Sequence, residues 1–301
     1  MSPSLLSLLQ IRFLQLETGT VCNYRCRYCP VAEHPRQGGF MPLAWFDKIV
    51  RDLADLQQLE RIYLNGYEEP TLNPDLGGIV ERLAPLGAQL VLLTNATNLS
   101  VPLLNRLAQS GARVQLDIHL SAVTCVDFQR LHQSTLLGRV MKNLEGLRDH
   151  PNCADFDVQI GAQLRETAED ARAFALLQDR FSTFPFEVHR WSPNDRAGHL
   201  RNEYFMNNYH RVLRGCGLEN RTSEWLHISA RGNAVICCQD YFETEVIGNV
   251  ARQTIVEIAS SDARRRVHEW AMGEVEAPES FICRRCKFAL SAPQALDRCA
   301  R

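Results

Sequence analysis

From Ile11 onward, apolar and polar positions along the chain fall into two alternating rhythms. Short apolar runs of strand-like composition are RFLQLE, ERIYLNG, AQLVLLTNA, ARVQLDIHLSA, DFDVQIGAQL and FPFEVHRWS, which begin at Arg12, Glu60, Ala88, Ala112, Asp155 and Phe184. Between them, WFDKIVRDLADL, PDLGGIVERLAPL, VPLLNRLAQS and stretches over 134–148 and 168–178 repeat apolar residues at helical spacing. Six such units predict parallel strands joined by right-handed crossovers, with ligands taken at the C-terminal strand ends. About 190 residues is short for eight units, so the expectation is an α/β fold built as a partial (β/α)6 TIM-like barrel.

Beyond Trp191 the rhythm changes. SPNDRAGHL is turn-rich, and HRVLRGCGL leads to an antiparallel hairpin, WLHISARGNAVICC, whose turn is expected on Arg231, Gly232 and Asn233. One helix over 254–271 and the sequence CRRC follow. The expected division is a barrel over 1–195 and a small C-terminal α+β domain over 196–301. The second part has few core-forming segments but six cysteines, so a bound metal is expected to supply part of its fold.

With 45% hydrophobic and 23% charged residues over 301 positions, a packed core is expected and disorder is not. Thirty-three Lys and Arg nearly balance thirty-five Asp and Glu, which gives no electrostatic case for a nucleic-acid partner. The run RRR at 264–266 reads as the wet face of a helix. At the N-terminus, Arg12 and Glu17 interrupt the apolar stretch MSPSLLSLLQIRFLQLE and no small-residue cleavage signal follows. Nor does a later apolar run reach the length of a membrane span, so no membrane partner is expected and the cytoplasm is the expected address.

Eleven cysteines are many for a reducing compartment, and their clustering points to metal rather than disulfides. In CNYRCRYCP, Cys22, Cys26 and Cys29 are separated by three and two residues. A redox dithiol accounts for Cys26 and Cys29 but leaves Cys22 unused. A structural zinc site needs a fourth ligand, for which His34 is the near candidate. An iron–sulfur cube can be held by three thiolates, with one iron left open for a chelating ligand.

With Tyr28 just before the last cysteine, this stretch resembles the signature of the radical S-adenosylmethionine (SAM) superfamily. The resemblance spans roughly residues 11–195 and implies a [4Fe-4S] cluster on Cys22, Cys26 and Cys29 whose open iron binds the amino and carboxylate groups of SAM. GYEEP, Gly66 to Pro70, resembles the family's glycine-rich stretch that receives the methionyl ammonium, with Glu69 as the matching acid and Glu68 where a glycine is usual. TNAT resembles the segment after the third strand, with Asn95 a hydrogen-bonding candidate toward cofactor or substrate. HLSAVTCVDFQRLHQ resembles the ribose-contacting region, with His119 and Ser121 where the family often has a serine and an acid. His119 has an alternative reading as a hydrogen-bonded wall residue.

Fifteen residues separate Cys216 from Gly232 and four more precede Cys237. That layout resembles the C-terminal extension called SPASM, or its shorter twitch form, with Cys216, Cys237, Cys283 and Cys286 completing four thiolates. On chemical grounds the four could hold zinc, and the resemblance implies an auxiliary [4Fe-4S] cluster. If Cys237 and Cys238 lie in a strand they point to opposite sides, and the glycine spacing selects Cys237. Only Cys238 and Cys299 remain for further ligation, so one auxiliary cluster is expected. Cys125 and Cys153 read as small apolar residues.

The resemblance implies a one-electron donor such as flavodoxin or ferredoxin, cleavage of SAM to a 5′-deoxyadenosyl radical, and abstraction of hydrogen from a substrate carbon. Peptide-modifying relatives often carry a leader-binding module before the first strand, and a strand near residue 11 favours a small polar substrate instead. Oxidation of a sugar, aminocyclitol or nucleoside-like metabolite in natural-product biosynthesis is the leading expectation. Arg190 and Arg196 are candidate contacts to anionic substrate groups. The rival readings are peptide modification, by thioether formation, carbon crosslinking or epimerisation, and a non-catalytic zinc-binding or scaffold protein.

Overall fold

The computed structural model describes residues 10–54, 59–200, 205, 208–218 and 221–291; the stretch before residue 10 and Cys299 lie outside the described residues. Its strands are β1 (Phe13–Leu16), β2 (Arg61–Leu64), β3 (Gln89–Thr94), β4 (Val114–His119), β5 (Asp157–Gln163), β6 (Glu187–Trp191), β7 (Leu213–Cys216), β8 (Trp225–Ile228), β9 (Asn233–Val235), β10 (Val246–Asn249) and β11 (Ala289–Ser291). The first six pair in parallel in chain order, as expected of a partial barrel. Leu14, Leu16, Ile62, Leu64, Leu90, Leu92, Leu116, Ile118 and Ile160 are all at most 1% exposed, so the near-continuous apolar runs follow from coverage of the sheet by its crossover helices.

The sheet does not close on itself. At the β1 edge the neighbour is β8, which runs parallel with Phe13 opposite Trp225, and β9 and β10 continue antiparallel to give nine strands. The C-terminal hairpin therefore satisfies the backbone groups of β1 that an open barrel leaves bare. Phe13 and Trp225 stack at 4.8 Å across the join. Gly232 turns the hairpin at φ 78° and leaves no room for a side chain, since a Cβ there would lie 2.8 Å from Trp45. β7 and β11 form a separate antiparallel pair.

Three details depart from the expectations. A helix at Cys125–His132, N-capped by Thr124 accepting from the Asp127 N–H, precedes the expected one, which begins at Leu137. The single helix expected over 254–271 is two, Ile255–Ala259 and Asp262–Met272, because Ser261 caps a second start by accepting from the Arg264 N–H. Arg264, expected on a wet face, is 2% exposed and donates to the carbonyls of Ser223, Trp225 and Ala259. The helix break aims it inward, at the start of β8.

A buried ion pair ties the end of β1 to the C-terminal hairpin. Glu17, just after β1, accepts from Arg36 at 2.7 Å, and both side chains are under a tenth exposed. The same carboxylate accepts the Tyr67 N–H at 3.1 Å and the Ala230 N–H at 3.1 Å. Arg36 donates onward to the Tyr241 carbonyl and lies over the rings of Tyr67 and Tyr241. Removing one member of such a pair leaves a buried charge and costs about 3–5 kcal/mol, whereas replacing both with apolar groups costs far less. Arg36→Met is expected to lower unfolding stability by about that amount, and Glu17→Met combined with Arg36→Met to recover part of it. Denaturant unfolding measures this, and a double variant no more stable than the single one contradicts the role given to the pair.

Candidate active site

Parallel pairing brings the ends of β1 to β6 to one side, and a cavity opens there. Its lining includes Cys22, Cys26, Tyr28 and Cys29 from the loop after β1, Gly66 to Glu69 after β2, Thr94 and Asn95 at β3, His119 at β4, Gln163 at β5 and Arg196 after β6. With His132, at the end of the helix Cys125–His132, seven separate segments contribute to one site. Ser121 and Arg190 are not part of this lining. Ser121 is fully buried, with its Oγ 3.1 Å from Tyr28 Oη and accepting the Gln163 N–H at 3.0 Å. Arg190 is exposed and lies over Phe174 of the covering helix Ala168–Arg180, away from the cavity.

The cysteine loop is held by its backbone. The Arg25 and Arg27 N–H groups donate to the carbonyls of His132 and Leu131, so the end of the helix Cys125–His132 docks the loop. Cys29 N–H donates to the Cys26 carbonyl at 2.9 Å. Val31, Tyr67 and Tyr241 form a small apolar cluster against Cys22 and Cys29. Burial pushes all three thiols up, Cys22 to about 12, while Arg196, Arg36 and Arg25 oppose the shift at Cys29. Ligation therefore requires that the thiol protons be displaced.

Gly66 is required by a close approach: a Cβ there would stand 2.1 Å from Glu17 Cγ. The two acids that follow differ sharply. Glu69 is 2% exposed and its carboxylate accepts from the Thr71 N–H and hydroxyl, the Thr94 hydroxyl and the Asn95 N–H. It clasps the ends of β2 and β3 together. Asn95 is likewise engaged, donating to Asn23 at 2.9 Å and accepting from Thr97. Glu68 uses Oε1 to accept the Thr18 N–H at 3.0 Å, while its buried Oε2 has no partner among the described residues.

His119 Nε2, Gln163 Nε2 and Arg196 Nε are also buried without hydrogen-bond partners among the described residues, and the Arg196 guanidinium lies over the Tyr67 ring at 5.6 Å. Burial, then Arg196, lowers His119 to about 4, so it is a neutral imidazole. Arg196 and Ala197 take positive φ values of 50° and 55°, a costly backbone for two residues with side chains. Asn194 steadies this turn by accepting the Arg196 N–H at 3.1 Å.

A second group of thiols lies in the C-terminal part. Burial pushes the Cys283 and Cys286 thiols up, and the nearby Cys216 thiol raises both further. β9 ends at Val235, so Cys237 and Cys238 sit in a turn and strand alternation does not decide which of them faces the group. Each thiol acts on the other, which pushes Cys237 up and Cys238 down, with Arg221 and Arg196 also lowering Cys238. Among the described residues no three metal-binding side chains are closed up around a single ion. A cube of four irons and four sulfides stands between its thiolates and holds them further apart. Three thiols facing one cavity, with cations nearby and a free carboxylate oxygen beside them, suit a cluster with one open iron.

The model of the radical SAM superfamily matches residues 16–175. The chain belongs to the radical SAM superfamily. A model of an iron–sulfur cluster-binding domain, SPASM, matches residues 216–287. Members are enzymes; the radical SAM domain uses a [4Fe-4S] cluster with SAM, and SPASM domains bind auxiliary iron–sulfur clusters. Among curated proteins, the GTP 3′,8-cyclase of Synechococcus elongatus is 34% identical over 143 residues, covering 45% of this chain and 42% of that one. The chain spans less than half the length of the curated relatives it matches.

Two solved structures share the fold. BtrN in complex with AdoMet and 2-DOIA aligns with a TM-score of 0.58 and 18% identity, covering 88% of each chain. Streptococcus suis SuiB bound to precursor peptide SuiA aligns with a TM-score of 0.67 and 13% identity, covering 92% of this chain and 69% of that one. No helix among the described residues is long and apolar enough to cross a membrane.

The free oxygen of Glu68 has a measurable consequence. Burial, then the Glu17 carboxylate, raises Glu68 well above its ordinary value of 4.5. A carboxyl raised on folding contributes stability that is fully present below the unfolded value and is lost as pH rises through the folded one. Glu68→Gln keeps the shape and removes the titration. In the cluster-free protein its thermal midpoint relative to wild type is expected to rise as pH goes from about 5 to about 8. A difference independent of pH contradicts the burial of an unpaired acid.

Proposed function

We propose that this chain binds SAM across Cys22, Cys26, Cys29 and the Gly66–Glu69 loop and uses it to remove a hydrogen atom from a small polar metabolite of the sugar, aminocyclitol or nucleoside-like class, leading to oxidation. The observation that carries the reading is the set of buried side-chain atoms in the cavity lining that have no hydrogen-bond partner among the described residues: His119 Nε2, Gln163 Nε2 and Arg196 Nε. Buried polar groups are costly unless hydrogen-bonded, so this wall suits a ligand that brings several oxygen acceptors and donors. When bound, the cluster and SAM supply one-electron reductive cleavage to a carbon radical, and the auxiliary cluster supplies an electron acceptor.

The protein's own part is placement. Gly66 lets the loop backbone pass against Glu17, and Glu68 offers its free Oε2 to the methionyl ammonium, whose positive charge favours the ionised carboxyl that burial alone disfavours. Glu69 acts by fixing the Thr94–Asn95 backbone. The Arg196 guanidinium pairs with a carboxylate, phosphate or hydroxyl oxygen of the substrate, and neutral His119 gives a second hydrogen bond. The auxiliary ligand set is Cys216, Cys283, Cys286 and one thiol of the Cys237–Cys238 pair. The electron donor is a flavodoxin or ferredoxin, and the address is cytoplasmic. That BtrN was solved with AdoMet and 2-DOIA supports a small-molecule substrate in this fold.

Deuterium tracing tests the proposal. Enzyme reconstituted with iron and sulfide, reduced with dithionite and given SAM is offered ring-deuterated sugars, aminocyclitols and nucleosides, and in parallel deuterated short peptides. Deuterium is expected in 5′-deoxyadenosine from a ring substrate. Arg196→Leu is expected to raise its KM about tenfold to a hundredfold, the worth of one charged hydrogen bond. Deuterium transfer from peptides alone overturns the substrate class.

A further inference from the structure

His132 stands directly against the cysteine loop, is fully buried, and ends the helix Cys125–His132. Its two ring nitrogens have different partners. Nε2 lies 3.1 Å from the Ser121 backbone N–H, which can only donate, so Nε2 is the acceptor. In a neutral imidazole the proton is then on Nδ1. Two acceptors are within its reach: Cys26 Sγ at 3.3 Å and Tyr28 Oη at 3.1 Å. Tyr28 has its own outlet, with Ser121 Oγ at 3.1 Å. Once Cys26 is a thiolate it carries charge, and a charged acceptor draws the Nδ1–H more strongly than a neutral phenol.

We propose that His132 is a positioning residue that donates its Nδ1–H to the Cys26 sulfur and thereby raises the reduction potential of the cluster held by the three-cysteine loop. The inference rests on the assignment of Cys26 as a cluster ligand. Hydrogen bonds to ligating sulfurs stabilise the extra negative charge of the reduced state, and such outer contacts tune cluster potentials. The carrier is backbone-fixed at both ends. Ser121 follows β4, and the His132 carbonyl accepts the Arg25 N–H at 3.3 Å within the cysteine loop itself. The ring is thus held against both the strand end and the loop, which sets the direction of its N–H before any cluster binds.

Two amide variants separate this role from packing. His132→Asn places a side-chain N–H near the Nδ1 position and gives up the bond to Ser121. His132→Gln reaches the Nε2 position, keeps an acceptor for Ser121 and gives up the donor to Cys26. Wild type and both variants are reconstituted anaerobically, and EPR-monitored redox titration follows the cluster signal that changes when SAM is added. His132→Gln is expected to shift the reduction equilibrium at least tenfold toward the oxidised state, which is about 59 mV for one electron, with His132→Asn close to wild type. Equal potentials in wild type and His132→Gln, or an equal fall in both variants, overturn the proposal. Absence of any SAM-responsive cluster in the wild type overturns the Cys26 assignment beneath it.

Discussion

The ion pair between Glu17 and Arg36 is the constraint on which the site depends. Its carboxylate is the meeting point of four segments: the end of β1, the stretch after the cysteine loop through Arg36, the β2 loop through Tyr67 and the C-terminal hairpin through Ala230. A charge so far from water is stable only with these partners. The same side chain forbids any Cβ at position 66. The glycine of GYEEP and the acid after β1 are thus one feature, and together they place Glu68 and Tyr67 at the cavity.

From that junction the two cysteine groups become neighbours through shared walls. Tyr67 packs on Cys22 and Cys29, and its hydroxyl donates to the Cys238 carbonyl at 2.5 Å. Tyr241, downstream of Cys238, meets Tyr67 edge-on at 4.7 Å and gives its hydroxyl to the His34 carbonyl. Arg36 lies against both rings. The C-terminal part therefore packs behind Tyr67, Cys22 and Cys29 of the first site as well as carrying the second thiol group. Its hairpin strands extend the main sheet, so the two parts share backbone pairing as well as side-chain contacts.

The barrel was legible because parallel strands buried on both faces leave apolar runs that survive in the linear sequence, as in QLVLLT and VQLDIH. The cysteine loop was legible because its chemistry is local, three thiols within eight residues. What depends on distant partners was not. Glu68 and Glu69 are adjacent, and only the hydroxyls of Thr71 and Thr94 and the Asn95 N–H show that Glu69 is occupied and Glu68 has an oxygen to spare. Arg190 and Arg196 looked equivalent until strand direction sent one outward and the turn after β6 sent the other into the cavity. His132 was missed with its helix, whose short, polar-rich sequence gives little periodicity, although Thr124 and Asp127 carried a readable capping signal.

The central claim is that Cys22, Cys26 and Cys29 hold a cluster at which SAM is cleaved. The most direct measurement is dithionite-dependent formation of 5′-deoxyadenosine, with iron and zinc counted, in reconstituted wild type and in the variant combining Cys22→Ala, Cys26→Ala and Cys29→Ala. The account predicts product from wild type alone, and about four fewer irons in the variant, which keeps its auxiliary cluster. Product from the variant, or a wild type that loads zinc and yields none, contradicts it.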